Sequence, residues 1–227
     1  MPSHLVVDEH NNLTEQRETI HQPKGLRFFA HLVSYLFHPL FIPVYVILFL
    51  VKEQTYLFGG LDEWHKLTII LQVVVNCTFL PLVSVLLLRG LKFIDSLTLR
   101  TQRERIIPYA IVMIFYFWNW YVVKNNYLPQ PVIRFFLAVF IASIAGFLAN
   151  IYFKISMHTL AMGVLCMFTC FMAFSDEQNY TLYLSLVFLA SGLVATSRLI
   201  CSDHTPFEIY AGFAAGIISQ VLAYWFS

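Results

Sequence analysis

The chain has 227 residues, 59% of them hydrophobic and only 12% charged, with a mean hydropathy of +0.69. Soluble domains carry about 25% charged residues, so this chain has too few charges to cover a water-facing surface, and a bilayer is the solvent that fits it. A net charge of +1 gives no basic field for nucleic acid, and 22 Phe with 12 Tyr suit lipid-facing and interfacial positions.

The first 27 residues are polar, with His4, Asp8, Glu9, Glu15, Arg17, Glu18 and Lys24 among them. They read as a soluble tail, mobile at its start, with no cleavable signal peptide. Residues 28–227 then read as one transmembrane domain. A span needs about 20 apolar residues to cross the hydrocarbon core, and seven runs qualify as candidates: 28–51, 67–88, 106–123, 132–153, 159–174, 181–196 and 206–226. Pro39 and Pro43 should kink the first. The fifth and sixth are short and are expected to extend at their ends. Lipid offers no partner for unpaired backbone groups, so these runs are helices, and none shows the alternation of a barrel strand. The expected fold is therefore an all-α polytopic helix bundle of six to seven spans.

Gly212 and Gly216 form a small-x3-small pair in the last run, which lets another helix approach closely. Cys77, Cys166 and Cys170 lie inside apolar runs, and Cys201 follows one. Cys166 and Cys170 share a helix face, but no His or further Cys nearby completes a metal site, so they read as packing residues.

Seven spans put the loops near 89–105, 154–158 and 197–205 on the same side as the N-terminus. These loops hold nearly all the suggestive polar residues: Arg89, Lys92, Asp95, Arg100, Arg103, Glu104 and Arg105; Lys154, Ser156 and His158; Ser197, Arg198, Asp203 and His204. Two spans separate each cluster from the next, so all three are expected on one membrane face. The opposite side has short, mildly charged loops with nothing clustered. The surplus of Lys and Arg points the polar side towards the cytoplasm, although that surplus comes largely from the clusters themselves.

Within the third cluster, Ser197-Arg198 is followed by five residues, His204, three residues and Glu208. This run resembles the third motif of the type 2 phosphatidic acid phosphatase superfamily, with Glu in place of Asp. Lys154-Ile155-Ser156-Met157-His158 resembles the second motif, Pro-Ser-Gly-His, keeping Ser156 and His158 and replacing Pro and Gly by Ile155 and Met157. The first motif, Lys with six residues and then Arg-Pro, is absent in form. Arg100, Arg103, Arg105 and Pro108 keep only its general character, an anion clamp entering the third span.

The resemblance implies a division of labour. His204 is the nucleophile, forming a phosphohistidine, and His158 protonates the leaving oxygen. A carboxylate must fix the tautomer of His204, and Glu208 stands four residues on. Arg198, Arg105, Arg103, Lys154, Ser156 and Ser197 are the candidate phosphate-binding residues, because guanidinium and hydroxyl groups pair with phosphate oxygens and stabilise charge in the transition state. This chemistry needs no metal and no cofactor.

Each feature also has a structural reading. Thr205-Pro206-Phe207-Glu208 is a capping box that starts the last helix, and a capping role for Glu208 is compatible with a catalytic one. The arginines of 89–105 also suit membrane anchoring to lipid head groups. His31 and His38 in the first span, and Asn76 and Asn119 in the second and third, are polar groups in an expensive place, for which a helix–helix hydrogen bond is the simplest reading.

The expected function is hydrolysis of a lipid phosphate or polyprenyl diphosphate in a cell inner membrane, with membrane lipids as surroundings. The alternatives are an inactive relative that binds anionic lipid or assists a partner, and a lipid transporter. A transporter would place polar groups at mid-membrane, not at one face.

Overall fold

The computed structural model describes residues 3–7, 13–17, 23–94, 102–175, 178–201 and 204–227. Nine α-helices are found among the described residues: α1 (Lys24–Leu36), α2 (Ile42–Glu53), α3 (Glu63–Val74), α4 (Leu80–Gly90), α5 (Gln102–Asn125), α6 (Gln130–Tyr152), α7 (Met157–Ser175), α8 (Thr181–Ile200) and α9 (Pro206–Phe226). A π-helical turn over Val75–Phe79 joins α3 to α4 without interruption. Among the described residues, six helical segments are long and apolar enough to cross a membrane: Glu63–Gly90, Glu104–Asn125, Gln130–Tyr152, Met157–Ser175, Thr181–Ile200 and Pro206–Phe226. The chain is thus an all-α polytopic bundle. The two short runs do extend at their ends, to 19 and 20 residues. The polar tail is not wholly irregular, because β1 (Ser3–Val7) pairs antiparallel with β2 (Leu13–Arg17), Ser3 opposite Arg17. Its composition gave no sign of that pairing.

The first expected span, 28–51, is not one helix. It is broken between Leu36 and Ile42. Pro39 has no N–H to continue the ladder, and proline disfavours helical backbone at the residue before it, so a break replaces the expected kink. The two pieces are 13 and 12 residues long, about 20 Å and 18 Å at 1.5 Å per residue, and neither crosses alone. Together they run the length of α8. Cys201 Sγ lies 3.8 Å from His31 Nδ1, and Arg198 donates to Ser34 Oγ at 3.5 Å. At the other end Tyr183 donates to Glu53 at 3.2 Å, and Gln54 donates to Gln178 at 3.3 Å. From Arg198 back to Tyr183 is about 22 Å of helix. The broken segment therefore keeps the sidedness that an unbroken first span would have given.

Polar groups inside the bundle serve packing. Asn76 in the π-turn donates to Asn119 of α5 at 3.4 Å, the inter-helix bond expected of that pair. Thr78 in the same turn donates to the carbonyl of Leu40 at 2.7 Å, satisfying a group exposed by the break. Cys166 Sγ sits 3.0 Å from Ser191 Oγ and ties α7 to α8.

The tightest joint in the bundle is α7 against α9. A Cβ on Gly216 would stand 2.1 Å from the carbonyl oxygen of Leu160, and one on Gly163 would stand 2.2 Å from that of Phe213. Neither position admits a side chain unless the helices separate. The Gly212–Gly216 pair thus has its partner helix, with Gly163 as the reciprocal small residue.

Candidate active site

The α7–α9 joint builds one half of the site. At Gly212 a Cβ would lie 2.6 Å from Thr159 Oγ1 and 2.7 Å from the Ser156 carbonyl oxygen. The start of α7 is therefore pressed onto the first turn of α9, and Ser156 N donates to the carbonyl of Glu208 at 3.3 Å. Ser156 has no exposed surface. Its Oγ accepts from Thr159 N at 3.5 Å, an N-cap for α7.

The first turn of α9 is the expected capping box. Glu208 N donates to Thr205 Oγ1 at 3.3 Å, and Thr205 N donates to Glu208 Oε2 at 2.9 Å. The same oxygen, Oε2, also accepts from His204 Nδ1 at 3.2 Å. One carboxylate oxygen of Glu208 thus both caps α9 and meets the His204 ring.

His204 is buried, with 5% of its surface exposed. Its Nδ1 meets two acceptors, Glu208 Oε2 and the Lys154 carbonyl oxygen at 3.1 Å. Neither can donate, so Nδ1 carries the proton and the lone pair of the neutral ring is on Nε2. Burial, and then the charges of Arg198, Arg105 and Lys154, lower the His204 pKa from 6.5 to about 3, with the bond to the Lys154 carbonyl opposing. At neutral pH this ring is uncharged among three cations.

Arg105 is buried on α5 and donates to the Ile155 carbonyl at 3.1 Å. That bond brings the first cluster to the second, as the parity of the spans requires. Arg103 lies two residues earlier in α5, and its side chain falls outside the described ones. Arg100 and Asp203 also lie outside the described residues. Ser197 is buried on α8 beside half-buried Arg198. The charge of Arg198 reaches both His158 and His204, and that of His204 reaches His158. His158, Arg198, His204, Glu208, Lys154 and Arg105 thus gather at one end of the bundle.

Two contributors were not singled out from the motifs. Ser34 of α1 bonds Arg198 through its hydroxyl, and its carbonyl oxygen accepts from His158 Nε2 at 3.1 Å. His38, in the break, packs its ring edge against His158, with centroids 5.3 Å apart at 84°. The signal was available: Lys24, Arg27, His31, Ser34 and His38 are spaced three and four apart, a polar stripe along one helical face.

An apolar cleft opens beside this cluster. Pro39 and Met157, the neighbours of His38 and His158, stand among its lining residues. From there it follows α7 to Val164 and α5 from Tyr109 to Tyr116, about 10 Å along each helix.

Neither the curated proteins nor the solved structures give a match to this chain. A family model does: residues 148–227 match the PAP2 superfamily. The matched stretch contains Ser156, His158, Arg198, His204 and Glu208 and leaves out α1 and Arg105. Over its last third the chain is similar to the PAP2 superfamily, the family its second and third clusters resemble.

Proposed function

We propose that this protein is an integral membrane phosphatase that hydrolyses a lipid phosphate or polyprenyl diphosphate. The observation that carries this reading is His204: a neutral imidazole with Nδ1 held by Glu208 and the Lys154 carbonyl, and Nε2 left as the basic nitrogen.

In the proposed reaction Arg198, Arg105 and Lys154 bind the phosphate oxygens and offset their charge. Arg103 is kept in the same clamp from the sequence alone, as an arginine of the cluster that enters α5. Ser156 and Ser197 help from behind, Ser156 by capping α7 so that its first-turn amides face the anion. His204 Nε2 attacks phosphorus, forming the P–N bond as the P–O bond to the lipid alcohol breaks. His158, protonated, gives its proton to the leaving oxygen. Water then attacks the phosphohistidine and returns a proton to His158, releasing inorganic phosphate and restoring His204. Neither metal nor cofactor takes part. The apolar cleft supports a lipid over a water-soluble ester, since it gives an alkyl or prenyl chain a place beside the head group.

The test is phosphate release by purified protein across a panel of lipid phosphates and diphosphates. The wild type is expected to turn over at least one of them, with His204→Ala slower by about 10³-fold or more. Turnover by His204→Ala at the wild-type rate, or tight binding with no turnover by either, would refute the reading. The second outcome identifies a lipid-binding relative.

A further inference from the structure

The break in the first membrane segment lies outside the stretch that matches the family model, yet it touches the site twice. An α-helix leaves its last four carbonyls without intrahelical donors. In α1 these belong to Val33, Ser34, Tyr35 and Leu36. The Phe37 amide takes Val33 at 3.0 Å, the His38 amide takes Tyr35 at 3.3 Å, and the Tyr45 hydroxyl takes Leu36 at 2.9 Å. The fourth, Ser34, is taken by His158 Nε2 at 3.1 Å.

A carbonyl oxygen only accepts, so His158 Nε2 carries a proton whether the ring is neutral or cationic. The nitrogen that gains and loses a proton is then Nδ1. His204 is arranged in the opposite sense, with Nδ1 engaged and Nε2 left to react. Each histidine thus has one nitrogen engaged by acceptors and the other left for chemistry, but His158 is held from α1 and His204 from Lys154 and Glu208. The ring of His38, edge-on to His158, fixes the plane that the carbonyl alone leaves free to tilt.

We propose that the break in the first membrane segment positions the general acid: the Ser34 carbonyl and the His38 ring hold His158 so that Nδ1 passes the proton to the leaving oxygen and takes it back from water. This rests on the phosphatase reading above. Ser34 and His38 are positioning residues. They touch His158, and the bonds made and broken at phosphorus are those already given.

The experiment uses two phosphate monoesters of matched chain length, one of an alkyl alcohol and one of an alkylated nitrophenol. The alcohol needs a proton to leave and the nitrophenol does not. Pro39→Ala with Pro43→Ala restores the missing amides, lets the helix run on and ties the Ser34 carbonyl to the amide of residue 38. In the full-length protein in detergent, the ratio of kcat/KM for the alkyl ester to kcat/KM for the nitrophenyl ester, which reports the P–O-breaking step and cancels any change in the cleft that Pro39 lines, is expected to fall about a hundredfold. Should the double variant fail to fold, His38→Ala is expected to give the same split, about tenfold, with His38→Phe restoring the alkyl rate. An equal loss on both esters, or no loss on either, overturns the positioning role and leaves the phosphatase reading standing. No hydrolysis of either ester by the wild type overturns the reading itself.

Discussion

The N-terminal and C-terminal parts of the chain assemble the same site by different means. At the C-terminal end, α7 and α9 meet backbone to backbone through Gly163, Gly212 and Gly216, and the joint dictates where Ser156, His204 and Glu208 stand. At the N-terminal end, α1 reaches the site by an interruption: a proline break frees carbonyls, and side chains from α2, α7 and the π-turn take them up. The first joint is steric and admits no added atom. The second is a set of hydrogen bonds and ring contacts, each replaceable at moderate cost. Rigidity is concentrated where His204 sits, and the adjustable contacts surround His158.

The largest effect expected from this contrast is at the glycines. Gly216→Val should separate α7 from α9, lower stability by more than about 3 kcal/mol and abolish turnover. Gly25→Val on α1 meets nothing within 4 Å and should leave both intact. Thermal unfolding in detergent, with phosphate release, checks the pair. Equal sensitivity at the two positions would remove the distinction.

Glu208 comes next, because one oxygen caps α9 and orients His204. Glu208→Ala should cost about 1 kcal/mol for the lost cap and lower kcat about a hundredfold. Glu208→Gln keeps an acceptor for the cap but leaves one oxygen for two donors, so most of the stability should return without the rate. Stability and kcat measured on the two variants separate the roles.

The pH dependence follows from His204. Its pKa is lowered from 6.5 to about 3 in the folded chain, first by burial and then by Arg198, Arg105 and Lys154. Between those values the unfolded chain binds the extra proton, so stability rises with pH there. The contribution is fully present above 6.5 and is lost as pH falls towards 3. His204→Asn should flatten this slope in melting temperatures taken across the window. A slope unchanged by the substitution would mean that another group titrates.

The smallest effect is expected from Ser34→Ala. It removes the 3.5 Å bond to Arg198 but leaves the carbonyl that holds His158. A rise in KM of no more than about threefold, with kcat unchanged, is expected from a bond so long. A large fall in kcat would give the hydroxyl the importance assigned here to the carbonyl.

Much of this was legible in the sequence because membrane helices are long and because catalytic spacing within one loop survives folding. The last six spans, the Thr205–Glu208 capping box and the Gly212–Gly216 joint all follow from local spacing. The break in the first segment was half-legible. Pro39 and Pro43 predicted a kink, but a helix that stops and restarts depends on Thr78 and Tyr45 being present to serve the freed carbonyls, and they are distant in sequence. Ser34 was missed because it acts through its backbone, which no residue type announces. Asn76 and Asn119 showed the reverse: their polarity was plain, and folding supplied the partner.

The account stands most directly on the covalent step at His204. Wild-type protein mixed with a lipid phosphate carrying a radioactive phosphoryl group, then quenched in alkali, should retain label on the chain. His204→Ala should retain none. Label on His204→Ala, or rapid hydrolysis by the wild type with no label at any quench time, would contradict it.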